Sequence, residues 1–190
     1  MEVKRCWGEK DELAREYHDK EWGVPVHDDK ILFEFLILEG AQAGLNWMTI
    51  LRRREGYRKA FDNFDFSKIA KYEQKYIDAL LKDEGIIRNR LKIESTILNA
   101  KVFLEIRNEF GSFDKYIWAF VDNKQINNNP KTWKDVPAKT TISDKISKDL
   151  KKRGMKFVGS TIMYAFMQAV GMVNDHLVNC FRHKEVSFMK

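Results

Sequence analysis

An all-α fold is predicted by three observations. Apolar residues recur at helical spacing, capping residues and glycines fall at the ends of those stripes, and strand-type alternation is scarce. Asp28-Asp29 caps a helix carrying Ile31, Phe35 and Leu38 at i, i+4, i+7. Tyr76, Ile77, Leu80 and Leu81 make a short stripe, with Gly85 just past its end. Ile93, Ile97, Ala100 and Leu104 form a longer stripe ending at Gly111. Asp122 to Thr141, holding Asn127-Asn128-Asn129-Pro130 and Pro137, is polar and reads as a long loop. Ser143 with Asp144 opens a basic helix that stops near Gly154. Ile162, Ala165, Phe166, Ala169 and Val170 stripe a last helix, stopped near Gly171. The pattern implies roughly nine or ten helices.

Composition narrows the class. A chain of 190 residues with 44% hydrophobic and 13% aromatic side chains can bury one core, so a single unit over residues 1–190 is expected. No apolar run reaches the ~18–20 residues of a membrane span. The Met1-Glu2-Val3-Lys4-Arg5 start leads into no apolar segment, so a cytoplasmic protein is expected. A net charge of +6 points toward a polyanionic partner, subject to how that charge is distributed.

Both cysteines have a histidine partner, and the two pairs sit at opposite ends. They are Cys6 with His18, and His176 with Cys180. The second pair, at i,i+4, would share a helical face. Cys and His are preferred ligands of tetrahedral zinc, and a Cys2His2 set would tie residues 1–25 to residues 172–182. Four protein ligands leave no open position, so such a metal would hold the fold and do no chemistry. Two free thiols with two surface histidines, or a Cys6–Cys180 disulfide, are the alternatives. The spacing fits no standard zinc finger.

Residues 143–171 read as a helix-hairpin-helix. A basic amphipathic helix ends at Gly154, and a turn leads to Gly159, Ser160, Thr161 and an apolar helix. The second helix would offer free backbone N–H groups to a phosphate, and Gly159 would permit close approach. Lys151, Lys152, Arg153 and Lys156 would add salt-dependent attraction to DNA. An ordinary helix-turn-helix with a solvated basic face is the alternative. The run Arg52-Arg53-Arg54 reads as a solvated helix face.

The segment Leu38-Glu39-Gly40-Ala41-Gln42-Ala43-Gly44-Leu45-Asn46-Trp47 departs from simple packing. Glu39 is a carboxylate in an apolar stretch and needs a partner, a ligand or exposure. Together with Tyr17, Trp22 and Trp47 it offers stacking faces and an edge hydrogen bond to a planar base. Ordinary core packing is the competing reading of the aromatics.

Taken together, these pieces resemble the 3-methyladenine DNA glycosylase I family, the Tag family of the helix-hairpin-helix glycosylases. The resemblance runs from Arg5 to Cys180. It is carried by Tyr17-His18-Asp19 with Glu21-Trp22-Gly23-Val24-Pro25, by Leu38-Glu39-Gly40 with Gln42-Ala43-Gly44-Leu45 and Trp47, and by Gly85-Ile86-Ile87-Arg88 with Lys92-Ile93. Asn99-Ala100, Trp118, Phe120-Val121, Lys151-Lys152-Arg153-Gly154, Lys156-Phe157-Val158-Gly159, Phe166-Met167-Gln168-Ala169 and Val173-Asn174-Asp175-His176 complete it. The resemblance implies a helix-hairpin-helix glycosylase fold of two helical lobes, with the termini joined by one structural zinc on Cys6, His18, His176 and Cys180. It implies base binding by Glu39, Tyr17, Trp22 and Trp47. It also implies monofunctional excision of 3-methyladenine from alkylated double-stranded DNA. A monomer, nucleoid-associated if bacterial, is expected apart from the resemblance.

Gln42 and Leu45 are the expected fillers of the gap left in the duplex. Lys152, Lys156, Gly159, Ser160 and Thr161 are the expected phosphate contacts. Some positions depart from the family pattern. Trp7 follows Cys6 directly, so a pocket role is not carried over to it. Leu13 and Ala14 stand where a second pocket tyrosine is often found. Lys156 and Phe157 interrupt the glycine-rich turn, and Asn174 occupies the wider superfamily's catalytic Asp position, as expected of this family. No lysine is assignable as a Schiff-base former, so no lyase step is expected. The rivals are a non-enzymatic hairpin DNA binder, which has no use for the Glu39–Trp47 segment, and a zinc hydrolase or deaminase, which needs an open metal site and an H-x-E signature that the chain lacks.

Overall fold

The computed structural model describes residues 3–189. Met1, Glu2 and Lys190, at the edges of the expected unit and clasp, lie outside the described residues. Eleven α-helices, three short 3-10 turns and a two-residue parallel strand pair make up the described chain. The strands are β1 (Ile126–Asn127) and β2 (Val173–Asn174), in register Ile126↔Val173 and Asn127↔Asn174. The loop expected over 122–141 therefore contains β1 and a 3-10 turn, Trp133–Asp135.

Helix α1 (Glu12–Lys20) starts on an Asp11 cap and places Tyr17 and His18 inward. The Asp28 carboxylate accepts the N–H groups of Lys30 and Ile31, which starts α2 (Asp29–Ala41). Every α2 residue from Leu32 to Ala41 is buried. The helix thus has no solvent face over that length, and the expected stripe is only partly followed: Phe35 and Leu38 are buried, but Ile31 is 41% exposed. A helix packed on all sides does not need the amphipathic period on which the stripe was read.

Short helices follow: α3 (Trp47–Leu51), α4 (Arg54–Ala60), α5 (Phe66–Ile69) and α6 (Gln74–Leu80). In α6 only Leu80 is buried, and Tyr76 faces solvent. The longest helix, α7 (Arg90–Phe110), is capped by Asn89 and ends at Gly111 as expected. Helix α8 (Phe113–Trp118) packs against it.

Helix α9 (Thr141–Lys152) begins on Thr140, not on Ser143. Ser143 is the third residue of a reciprocal capping box, its hydroxyl accepting the Thr140 N–H. After α10 (Ser160–Ala169) and β2, α11 (Phe181–Ser187) closes the chain. Helix α2 is central: it packs against α7, α8 and α10. No helix among the described residues is long and apolar enough to cross a membrane.

In the Arg52–Arg54 run Arg52 is exposed as expected, and Arg54 is the correction. Arg54 is buried, with its guanidinium donating to Glu34 and to Glu21, the latter at 2.7 and 2.9 Å. A buried arginine requires such partners. They lie 20 and 33 residues away in sequence, which local composition does not reveal.

Candidate functional site

Cys6, His18, His176 and Cys180 meet. Cys6 Sγ lies 3.3 Å from His18 Nε2 and 3.6 Å from His176 Nδ1. Cys180 Sγ lies 3.4 Å and 3.6 Å from the same two nitrogens. All four donor atoms fall within 4.8 Å of one another. Metal–sulfur and metal–nitrogen bonds of ~2.3 and ~2.0 Å in a tetrahedron give S···N edges of roughly 3.5 Å, so the cluster fits a metal ion.

The other nitrogen of each imidazole is anchored as well. His18 Nδ1 lies 2.8 Å from Asp19 Oδ1, and His176 Nε2 lies 2.9 Å from the Trp22 carbonyl. Arg5 in turn grips Asp19 with bonds of 2.7 and 2.9 Å. The pairing of His176 with Cys180 is not a helical one, however. Both lie on the irregular segment between β2 and α11, and Cys180 is the residue that precedes α11. Both thiols are free.

Beside this cluster lies a pocket of about 330 Å³ lined by Trp7, Tyr17, Trp22, Glu39, Gln42, Trp47, Trp133, Ala165 and Gln168. Helix α1 supplies Tyr17, α2 supplies Glu39 near its C-terminal end, and α3 begins with Trp47 after its Asn46 cap. The rings wall one another: Tyr17–Trp47 at 5.3 Å, Trp7–Trp22 at 5.5 Å and Trp22–Trp133 at 6.3 Å between centroids. Glu39 is 5% exposed, and its carboxyl has no hydrogen-bond partner among the described residues. Burial alone pushes it up to about 8. The Tyr17 phenol is pushed well up, chiefly by burial and then by Glu39. Trp47 Nε1 is buried and unpartnered.

The structure therefore brings together Glu39, Tyr17, Trp22, Trp47 and Gln42. It also adds Trp7, to which no role was carried over, and Trp133, Ala165 and Gln168, which sequence reasoning missed. A tryptophan in an otherwise polar loop was the one available signal for Trp133. Leu13 and Ala14 do not line this pocket.

Gln42 and Leu45 sit on the turn that follows α2. Leu45 is 40% exposed, and its N–H donates to the Gln42 carbonyl at 2.7 Å. Lys92 braces this turn, its Nζ donating to the carbonyls of Ala41 and Ala43 at 2.7 and 2.8 Å.

In the hairpin, Gly154 takes φ +102°, and the N–H of Met155 reaches back to the Leu150 carbonyl at 2.9 Å. Asn99 of α7 holds Lys156 by both backbone groups at 2.9 Å. Gly40, next to Glu39, lets the hairpin approach: a Cβ there would sit 3.2 Å from Phe157 Cβ. Lys152, Lys156 and Thr161 are exposed, and Ser160 is half-buried. Gly159 precedes α10 with no side-chain cap, at φ −64°, with open space where a Cβ would stand. Glycine is itself a favoured N-cap residue, and the open space leaves the backbone at this helix start uncovered by protein atoms. The Arg153 guanidinium, expected to add to the attraction for DNA, is held by Glu109 at 2.6 Å and Asp149 at 2.8 Å. Asp175, beside the Asn174 position, is buried and accepts from Tyr164, Asn128 and Gln168.

The methyladenine glycosylase family model matches residues 7–183. DNA-3-methyladenine glycosylase 1 of Escherichia coli (strain K12) is 47% identical over 179 residues, covering 94% of this chain and 96% of that protein. A crystal structure of 3-methyladenine DNA glycosylase I superposes with a TM-score of 0.91 at 46% identity, covering 94% of this chain and 98% of that one. A structure addressing 3-methyladenine recognition by the Staphylococcus aureus glycosylase gives 0.90 at 36% identity, covering 93% and 94%.

Proposed function

The chain belongs to the methyladenine glycosylase family, and from that premise we propose that it excises 3-methyladenine from alkylated double-stranded DNA, as a monomer, by hydrolysing the N-glycosidic bond. The observation that carries this reading is Glu39, a buried carboxyl without a hydrogen-bond partner among the described residues, in a pocket walled by aromatic rings.

A base inside a duplex cannot reach such a pocket, so it must be flipped out, at a cost of a few kcal/mol that pocket contacts offset. Gln42 and Leu45 on the braced turn fill the vacated stack. Lys152, Lys156 and the N–H groups of Ser160 and Thr161 behind Gly159 hold the phosphates. Methylation at N3 makes the nucleoside's adenine cationic. Tyr17, Trp22 and Trp47 stack on or wall the base, with a cation–π contribution.

Burial holds Glu39 near 8, so at neutral pH it is mostly protonated. A cation alongside favours the ionised form, whereas neutral adenine offers no such compensation. Glu39 thus reads charge. The glycosidic C–N bond breaks with its electron pair passing to the base, which thereby becomes neutral. Water adds its oxygen to the sugar carbon and releases a proton to solvent, leaving an abasic site. Because the cationic base is already a good leaving group, an aspartate at the Asn174 position is not needed.

Zinc, one per chain, is the metal that best suits the Cys6–His18–His176–Cys180 donor set, and with four protein ligands it supplies structure and no chemistry. Residues 1–190 act as one glycosylase unit with two helical lobes on either side of α2. A DNA substrate places the protein in the cytoplasm at the nucleoid.

The test is to incubate the purified protein with methylated DNA and identify released bases by chromatography. Release of 3-methyladenine is expected. Tight DNA binding with no released base would leave a non-enzymatic DNA binder in its place.

A further inference from the structure

Glu39 reads charge, but charge is common to every N3-methylated purine nucleoside, so it does not by itself separate adenine from guanine. A second polar group on the pocket wall can. Gln168 stands on α10 one turn beyond Ala165, and both line the pocket. Its Nε2 donates to Asp175 Oδ2 at 2.8 Å. The same oxygen accepts the Tyr164 hydroxyl at 2.7 Å, and Asp175 Oδ1 accepts Asn128 Nδ2 at 2.7 Å.

A carboxylate only accepts. Turned end for end, the Gln168 amide would press its carbonyl oxygen against Asp175 and lose that bond. Asp175 therefore fixes the amide with its N–H2 inward, and Gln168 Oε1 is left with no hydrogen-bond partner among the described residues, as the free end of a pocket-lining side chain.

We propose that Gln168 Oε1 is a specificity determinant that reads the exocyclic group of the flipped purine, and that Asp175 is the residue that positions it. Adenine carries a donor there, the N6 amino group, and guanine carries an acceptor, O6. An oriented carbonyl welcomes the first and opposes the second. A site built to hydrogen-bond one group discriminates strongly against an analogue that cannot supply it. The inference rests on the reading of this pocket as a purine site.

The experiment supplies methylated DNA containing both 3-methyladenine and 3-methylguanine, and measures the ratio of their release rates. Gln168→Met keeps the length and removes the carbonyl. The ratio should fall on the order of fivefold, mainly through slower 3-methyladenine release, as for loss of one uncharged hydrogen bond. Asp175→Asn removes the constraint on the amide and should move the ratio the same way by less.

A merely structural role would slow both bases together, so an unchanged ratio in a folded variant overturns the proposal. Should both variants melt below the assay temperature, competition by the two free bases for the unaltered protein decides: equal affinities overturn it, and preference for 3-methyladenine supports it. Failure of the unaltered protein to release any methylated purine would instead remove the reading of the pocket itself.

Discussion

The Cys/His cluster and the aromatic pocket are neighbours built partly on the same helix, since α1 supplies His18 to one and Tyr17 to the other. Their polar groups are treated in opposite ways. In the cluster every donor faces another, and both remote imidazole nitrogens are anchored, by Asp19 and by the Trp22 carbonyl. In the pocket the Glu39 side chain is buried and Trp47 Nε1 is withdrawn from water, and neither has a hydrogen-bond partner among the described residues. Unsatisfied buried polar groups cost free energy, typically ~1–3 kcal/mol each. On the proposed reading, the site that the fold closes serves stability and the adjoining open one takes a ligand.

The largest effect is expected at the closed site. Cys180→Ser should release the metal and lower the melting temperature by about 10 °C or more, the consequence of losing several kcal/mol in a chain of this size. Calorimetry alongside metal analysis reads both. If melting is unchanged, the cluster has no structural role. In the unaltered protein, activity lost to a chelator should follow the unfolding curve; instant loss while the fold persists would make the metal catalytic.

At the open site, Glu39→Gln should slow excision of 3-methyladenine roughly 10- to 100-fold, the range for a hydrogen bond to a charged group. The melting temperature should hold or rise. Equal activity in the variant would break the contrast between the two sites.

A smaller effect lies on the hairpin. Lys152→Glu with Lys156→Glu should weaken duplex binding and flatten its salt dependence by up to about two units of slope, with metal content unaltered. A titration of affinity against salt reads this, and an unaltered slope would remove both lysines from the phosphate contacts.

The smallest is a pH effect. The Glu39 carboxyl releases its proton near 4.5 when unfolded and near 8 when buried in the fold. Between those values the folded state binds more protons, so this group makes stability fall as pH rises from about 4.5 to about 8. Glu39→Gln should remove that part of the slope, measured as the difference between the two proteins' melting temperatures across the window. Parallel curves would contradict the burial assigned to Glu39.

Much of this contrast was legible in the sequence, for reasons specific to each residue. Two cysteines, each with a histidine at the same end of the chain, carried the cluster even though the helical geometry read from the His176–Cys180 spacing was wrong: these side chains meet whatever the local backbone conformation. Glu39 declared itself as a carboxylate within an apolar run. Trp133 and Gln168 did not. Trp133 reaches the pocket from a loop by long-range packing, with its indole N–H donating to the Cys6 carbonyl at 3.3 Å. Gln168 looks like any polar residue on an otherwise apolar helix until Asp175 is seen to orient it. Arg54 was misread for the same reason, because its charge is neutralised by Glu34 and Glu21 on other elements. Helix α2 shows the limit of periodicity, since a helix buried on all sides carries no stripe to read.

The central claim is that the open carboxyl at Glu39 holds the damaged purine. A crystal structure of the protein with free 3-methyladenine tests it most directly. The base should lie between the rings of Tyr17, Trp22 and Trp47, within hydrogen-bond distance of Glu39. A base bound away from that carboxyl, with the pocket still empty, would contradict it.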